Sequence, residues 1–169
     1  MTRRTRPIAS IPQGALDLTG PAARVRRRLL RGAADLLEHA GYAELLPPTF
    51  EYEETFLRAG GPEVAERLIR FTDPDGRILA LRYDFTASIA RVAATTFQRA
   101  PRPLRLCYSG KVFRQEPERG GRPRETLQAG AELLGQGDIA ADVEVVRLTL
   151  DLARTLGAEV GNELWDQRL

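Results

Sequence analysis

The chain has 169 residues, is 43% hydrophobic and carries a formal net charge of +2, which suits one domain around one core, with room for a small appendage. With no run of about 18 apolar residues and no apolar segment behind the basic start MTRRTRPIASIPQG, neither a membrane-spanning helix nor a secretory signal is expected. Cys107 and His39 are the only residues of their types, which excludes an internal disulfide, a thiolate metal cluster and a multi-histidine metal site, and fits a reducing cytoplasm.

From Pro21 to Ala40, residues Val25, Leu29, Ala33, Leu36, Leu37 and Ala40 fall at helical spacing, with Pro21 in the first turn and Gly41 as the stop. The opposite face holds Arg24, Arg26, Arg27, Arg28 and Arg31. Without interleaved aromatics or a second basic element it reads as a solvated face rather than a nucleic-acid surface. Tyr42 to Leu46 is a short strand ended by Pro47 and Pro48. After Glu51 come a short helix, a break at Gly60-Gly61 and another helical turn. LIRFTDPDGRILALR predicts a hairpin turning at Asp73–Gly76. Thr86 to about Phe97 predicts a helix, Leu104 to Tyr108 a strand, and Gly110 to Gly135 two further strands around a polar middle. Ala140 to Leu156 predicts a last helix with Val143, Val146, Leu150 and Ala153 on one stripe. Strands joined mostly by hairpins, with helices beside them, define an α+β fold built on an antiparallel sheet.

The polar middle, VFRQEPERGGRPRETLQ, concentrates charge. Alternation in strands puts Arg114 and Glu116 on one face, Arg122 and Arg124 on one face, and Gln128, Gly130 and Glu132 on one face. If the two strands pair, Arg114, Glu116, Gln128 and Glu132 project together. Such a set suits a zwitterionic ligand, because the carboxylates and amide accept from an ammonium while arginine clamps a carboxylate or phosphate. Ordinary cross-strand ion pairs of about 0.2 to 1 kcal/mol each are the plainer explanation, and composition alone favours it. A second candidate is LALRYDFTASIAR, where Arg82, Asp84 and Thr86 alternate into a helix start. Thr86 is expected to cap that helix and Asp84 to complement its dipole, which leaves Arg82 unexplained.

These stretches resemble a known family. RYDFTASIAR is similar to the R-x-D/E-x-T-x-x-x-x-R segment of histidyl-tRNA synthetases. VFRQEPERGGRPRETLQAGAELLG resembles their class II motif 2, F-R-x-E followed by R-x-R-x-F-x-Q-x-G-x-E-x-x-G. GYAELLPPTFE is similar to the motif 1 strand ending in P-x-x-E at Pro48 and Glu51. PQGALD, with Pro12, Gly14 and Asp17, resembles the P-x-G-x-x-D opening. The matches follow the family's order from residue 12 to about 156. They imply a class II synthetase-like fold over residues 12–157, between a disordered tail at 1–11 and a poorly ordered tail at 158–169. They also imply that the residues recognising histidine are Asp84, Thr86, Arg114, Gln128 and Glu132, and that Arg114, Glu116, Arg122 and Arg124 are phosphate or nucleotide contacts.

A paralogue of the same fold, the regulatory subunit of ATP phosphoribosyltransferase, is also similar. The adenine-stacking aromatic of R-x-R-x-F is Thr126 in this chain, which speaks against adenylate binding. The match ends before motif 3, the second histidine-specific segment and the anticodon-binding domain, so the chain resembles the N-terminal part of a longer protein. On that resemblance the expectation is a non-catalytic regulatory subunit without cofactor, metal or catalytic residues. It is expected to assemble as a homodimer with the short catalytic subunit of ATP phosphoribosyltransferase, with histidine as effector. A histidyl-tRNA synthetase fragment, or an inactive truncated paralogue, is the alternative.

Overall fold

A computed structural model describes residues 11–115 and 123–157 of the chain. The tails expected at 1–11 and 158–169, apart from Ile11, lie outside the described residues, as do Glu116 and Arg122.

Helix α1 runs Gly20–His39 with a proline in its first turn. Its end is a Schellman arrangement: Gly41 adopts φ +86, its N–H donates to the Glu38 carbonyl, and the Tyr42 N–H donates to that of Leu37. Glycine suits that position because a side chain would oppose the left-handed backbone. Strand β1 (Ala43–Glu44), β2 (Phe50–Tyr52), α2 (Glu53–Ala65), β3 (Arg70–Thr72) and β4 (Ile78–Leu81) follow. Helix α2 is kinked at Gly61, φ 68 and ψ −164, just before Pro62, where the sequence predicted a break. The β3–β4 turn is held by the Asp73 carboxylate, which accepts from the backbone N–H of Asp75 and of Arg77. Then come α3 (Thr86–Ala94), β5 (Leu104–Phe113), β6 (Glu125–Leu134) and α4 (Ile139–Thr155).

The strands form two three-stranded sheets, β1-β5-β6 and β2-β4-β3. All pairings are antiparallel except β1 with β5. Two expectations change. Leu104–Tyr108 and the strand after it are one ten-residue strand, β5, because Ser109 and Gly110 continue the ladder opposite Ala129 and Gln128. β2, three residues after two prolines, was not predicted.

The two faces of the β5–β6 ladder build separate cores. Leu106, Tyr108 and Val112 pack with Phe85 and Ile89 of the α3 region. Cys107, on the other face, packs with Leu37 and Tyr42, and Leu148 of α4 closes that layer. Burial pushes the Cys107 thiol up to about 11, which makes it an inert core residue. The stripe Val143, Val146, Leu150 and Ala153 is not the face of α4 that meets the sheet: Val143 and Val146 are 54% and 46% exposed. The inward side is that of Ala141 and Leu148.

Arg82, which local pattern left unexplained, ties the two sheets together. It is 7% exposed. Its guanidinium donates to the carbonyls of Pro47 (2.9 Å), Pro48 (3.0 Å) and Lys111 (2.9 Å) and lies 4.0 Å over the Phe85 ring. Its backbone extends the bridge, accepting from the Phe113 N–H and donating to the Thr49 carbonyl. Glu51, 8% exposed, supplies a nearby negative charge and is held by Arg91 at 2.9 and 2.6 Å. Replacing Arg82 with Met keeps the stem, strands three carbonyls and removes a positive charge near Glu51, which Arg91 still holds. The expected loss is about 3–5 kcal/mol, read as a fall in the urea midpoint.

At the sheet's far end, the Glu144 carboxylate accepts from Arg105 at 2.8 Å through both Nε and Nη2, and from Tyr42 Oη at 2.7 Å. These donors, Arg105 foremost, hold its carboxyl near about 2 against an ordinary 4.5. A depressed carboxylate contributes stability that is present above its unfolded pKa and lost as pH falls through the folded one. Glu144→Gln is therefore expected to be less stable than wild type at pH 7, with the difference closing between about 4.5 and about 2 in pH-resolved thermal melts.

Candidate functional site

The candidate residues meet where the start of α3 faces the middle of β6. The pairing Tyr108↔Gly130, Gly110↔Gln128 and Leu106↔Glu132 puts Gln128, Gly130 and Glu132 on the same face as Tyr108, toward α3. The shared face predicted for Gln128 and Glu132 therefore holds, and the pairing register now has a definite value. Gly130 is required there: a Cβ at this position would come 2.6 Å from Tyr108 Oη and 2.9 Å from Cζ. The phenol lies across the glycine, with its ring stacked on Phe85 at 4.5 Å and 11°.

Thr86 Oγ1 donates to Glu132 Oε1 at 2.8 Å, bridging the first turn of α3 to β6. The cap expected of Thr86 is supplied by Asp84 instead. Asp84 accepts from the Ala87 N–H at 3.1 Å and satisfies a free donor of the helix start, while the Thr86 side chain makes no cap and turns to the sheet. Burial pushes the Glu132 carboxyl up, the Thr86 hydroxyl opposes that, and the Asp84 charge adds to it. Tyr108 is pushed up to about 12, first by burial and then by the Glu132 charge, so it stays a neutral phenol. Gln128 Nε2 reaches Tyr108 Oη at 3.5 Å, a weak contact at the limit of hydrogen bonding. Gln128 Oε1 is buried without a hydrogen-bond partner among the described residues.

Arg114 follows the end of β5. Its N–H donates to the Arg124 carbonyl, its Nε donates to the Tyr83 carbonyl at 3.3 Å, and its guanidinium stands 4.7 Å over the Tyr83 ring. Arg114 contacts Tyr83, the residue before Asp84 in the chain, and lies beyond the Phe113↔Glu125 end of the ladder, whereas Glu132 pairs with Leu106 near the other end. Arg124 is placed by the chain's beginning: its N–H donates to the Gly14 carbonyl at 2.8 Å, and a Cβ on Gly14 would meet Arg124 Cγ at 2.7 Å. The P-x-G-x-x-D opening is thus packed onto motif 2. Thr126 sits opposite Val112, on the same face as Gln128. Among the described residues no group of three or more His, Cys, Asp or Glu is arranged to hold a metal.

Chemically, the site offers two carboxylates, a buried amide oxygen and a phenol on a face with an arginine at its edge. The acceptors suit an ammonium or imidazole N–H, and the arginine suits a carboxylate. Local pattern missed Tyr108 and Tyr83, and placed Gly130 on the site's face without giving it a role. A tyrosine inside an apolar strand reads as core, and only the glycine within β6 hinted at a close approach.

Mixed helices over an antiparallel sheet, with motif 2 forming the β5–β6 ladder, define a class II aminoacyl-tRNA synthetase-like domain. The family model for histidyl-tRNA synthetase matches residues 14–162, and the chain belongs to that family. It is 44% identical over 150 residues to an ATP phosphoribosyltransferase regulatory subunit of Moorella thermoacetica, spanning 88% of this chain and 38% of that protein. It is 38% identical over 147 residues to a histidine–tRNA ligase of Thermococcus kodakarensis, spanning 87% of this chain and 34% of the ligase. A solved structure described as an ATP phosphoribosyltransferase regulatory subunit/histidyl-tRNA synthetase from Bacillus halodurans superposes with a TM-score of 0.82 at 29% identity, over 95% of this chain and 40% of that one. The chain thus spans less than half the length of these relatives.

Thr86→Val removes the donor that opposes burial at Glu132. The Glu132 carboxyl is expected to titrate at a still higher pH, read as a shift in its side-chain carbon resonance across an NMR pH series.

Proposed function

We propose that this chain supplies the ligand-sensing portion of a regulatory subunit of ATP phosphoribosyltransferase, the first step of histidine biosynthesis. In this reading it is non-catalytic, binds histidine at the Thr86–Glu132 site and assembles as a homodimer with the short catalytic subunit. The observation that carries it is the buried Gln128 Oε1, without a hydrogen-bond partner among the described residues, on the same strand face as Glu132. A buried acceptor left unpaired costs about 1–3 kcal/mol, and a ligand N–H recovers that loss.

Glu132 accepts from a ligand N–H, with Asp84 adding negative charge. Arg114, held against Tyr83 by its Nε and by the ring face, takes the carboxylate, and Gln128 accepts from a second ligand N–H. The 44% relative bears the regulatory name. Thr126 occupies the position where the synthetase motif has a stacking aromatic, which favours sensing an amino acid over activating it. Arg114 and Arg124 remain as phosphate contacts, with Glu116 and Arg122 outside the described residues.

The second reading, ATP-dependent activation of histidine, is favoured by the ligase relatives. Calorimetric titration of histidine into the chain, alone and assembled with its catalytic subunit, tests the first. Binding is expected, at least tenfold weaker for Glu132→Gln. It should also weaken as pH falls through the raised Glu132 pKa, because the ionised carboxylate accepts from a ligand N–H more strongly than the protonated acid. No binding beyond that of the catalytic subunit alone overturns the sensing role, and histidine-dependent pyrophosphate exchange supports the second reading instead.

A further inference from the structure

The face that carries Gln128 and Glu132 continues past the end of the ladder. One step beyond the last pair, Phe113↔Glu125, the Arg114 N–H donates to the Arg124 carbonyl at 2.9 Å, so the two arginines stand opposite each other. Strand alternation puts both on the side of Val112, Thr126 and Gln128. Like charges directly across a ladder repel, and among the described residues neither arginine makes an ion pair. Glu125, the acid next to Arg124 in the chain, lies on the opposite face, where Lys111 at 2.8 Å and Arg26 at 3.3 Å hold it. Two opposed guanidiniums without an acid between them suit an anion.

The two arginines are fixed from different directions. Arg114 is held by the Tyr83 carbonyl and ring. Arg124, half-buried, is held by the opening of the chain. Residues 12–15 form a tight turn: the Ala15 N–H donates to the Pro12 carbonyl at 3.0 Å, and Gly14, the third residue, adopts φ +78. A positive φ at that place alone is the type II turn, which glycine and asparagine enter readily. The Gly14 carbonyl accepts from the Arg124 N–H at 2.8 Å. Both backbone polar groups of Arg124 are thus engaged, the N–H by the opening turn and the carbonyl by Arg114. Contact continues along the side chain: a Cβ on Gly14 would lie 2.7 Å from Arg124 Cγ and 3.2 Å from Cδ. The stem of Arg124 runs over the glycine, through the space a side chain would fill.

We infer that Gly14 is a positioning residue: its turn sets the direction of the Arg124 guanidinium, so that Arg124 and Arg114 together clamp a phosphate-bearing ligand at this end of the β5–β6 face. Gly14 touches no ligand and acts through Arg124. A guanidinium is a rigid planar fork whose hydrogen bonds to phosphate depend on orientation, so displacing its stem by one Cβ weakens the clamp with the charge unchanged. This positioning rests on the phosphate role given above to Arg114 and Arg124.

The probe is inorganic pyrophosphate, titrated calorimetrically into the full chain at low ionic strength. Gly14→Asn keeps the turn, because asparagine tolerates a positive φ, and introduces the Cβ. It is expected to weaken pyrophosphate binding about fivefold or more. Gly41→Asn makes the same exchange at φ +86, where a Cβ meets nothing within 4 Å, and is expected to bind as wild type does. In an Arg124→Ala background, Gly14→Asn is expected to add less than about a twofold loss, because the residue it acts through is gone. Wild type supplies a readout independent of any variant's folding: saturating pyrophosphate is expected to slow hydrogen exchange at the Arg124 N–H, the donor to Gly14. Wild-type affinity in Gly14→Asn, a full second loss on top of Arg124→Ala, or an unchanged exchange rate overturns the positioning role and leaves the phosphate contacts standing. A wild-type chain that does not bind pyrophosphate overturns those contacts and the positioning role with them.

Discussion

A buried guanidinium holds this fold together. Arg82 stands where the polypeptide passes between the two sheets, and the carbonyls it satisfies come from the Pro47-Pro48 segment and from β5. Two successive prolines remove two backbone donors, so the carbonyls around them have no ladder to join. A side chain with five donors in a fixed plane fills that gap better than a lysine's single ammonium would. Burial lowers the Arg82 pKa while the Glu51 charge opposes that, and Arg91 in turn anchors Glu51. Three charged groups from β2, from the end of β4 and from α3 thus form one network, and the relative position of the sheets follows from it.

The candidate site depends on that placement. Arg82 stacks on Phe85, Phe85 stacks on Tyr108, and Tyr108 lies over Gly130. The same chain of contacts brings the start of α3 within hydrogen-bond reach of β6, so that Thr86 meets Glu132 across 46 residues of sequence. A ligand that engages both Asp84 and Glu132 would strengthen this bridge between helix and sheet. Ligand binding would then be coupled to whatever surfaces α3 and the sheets present.

Strand alternation gives the β5–β6 ladder two unlike duties. One face carries the phenol, the amide and the acid of the candidate site. The other carries Cys107, Ala131 and Leu133 into the layer under α1 and α4, closed at its edge by Arg105, Glu144 and Tyr42. A shift of one residue in register would exchange these faces. The glycine opposite Tyr108 guards against that, since neither Ala129 nor Ala131 leaves room for the ring.

Much of the secondary structure could be read from the chain because it depends on neighbours in sequence: the period of α1, the Gly41 stop, the Asp73–Gly76 turn, the break in α2. The grouping of Gln128 with Glu132 was also legible, since alternation along one strand needs no partner to define it. The sequence by itself therefore determined most of the elements, the family likeness and the charged and amide residues of the candidate site. Which face of α4 is inward, the continuity of β5, the split into two sheets and the roles of Arg82, Asp84 and Thr86 were decided only by the tertiary structure. Each is set by a contact between segments far apart in the chain. A side chain such as Thr86 can satisfy a local helix end or a distant carboxylate with equal chemistry, and only the folded geometry selects between them.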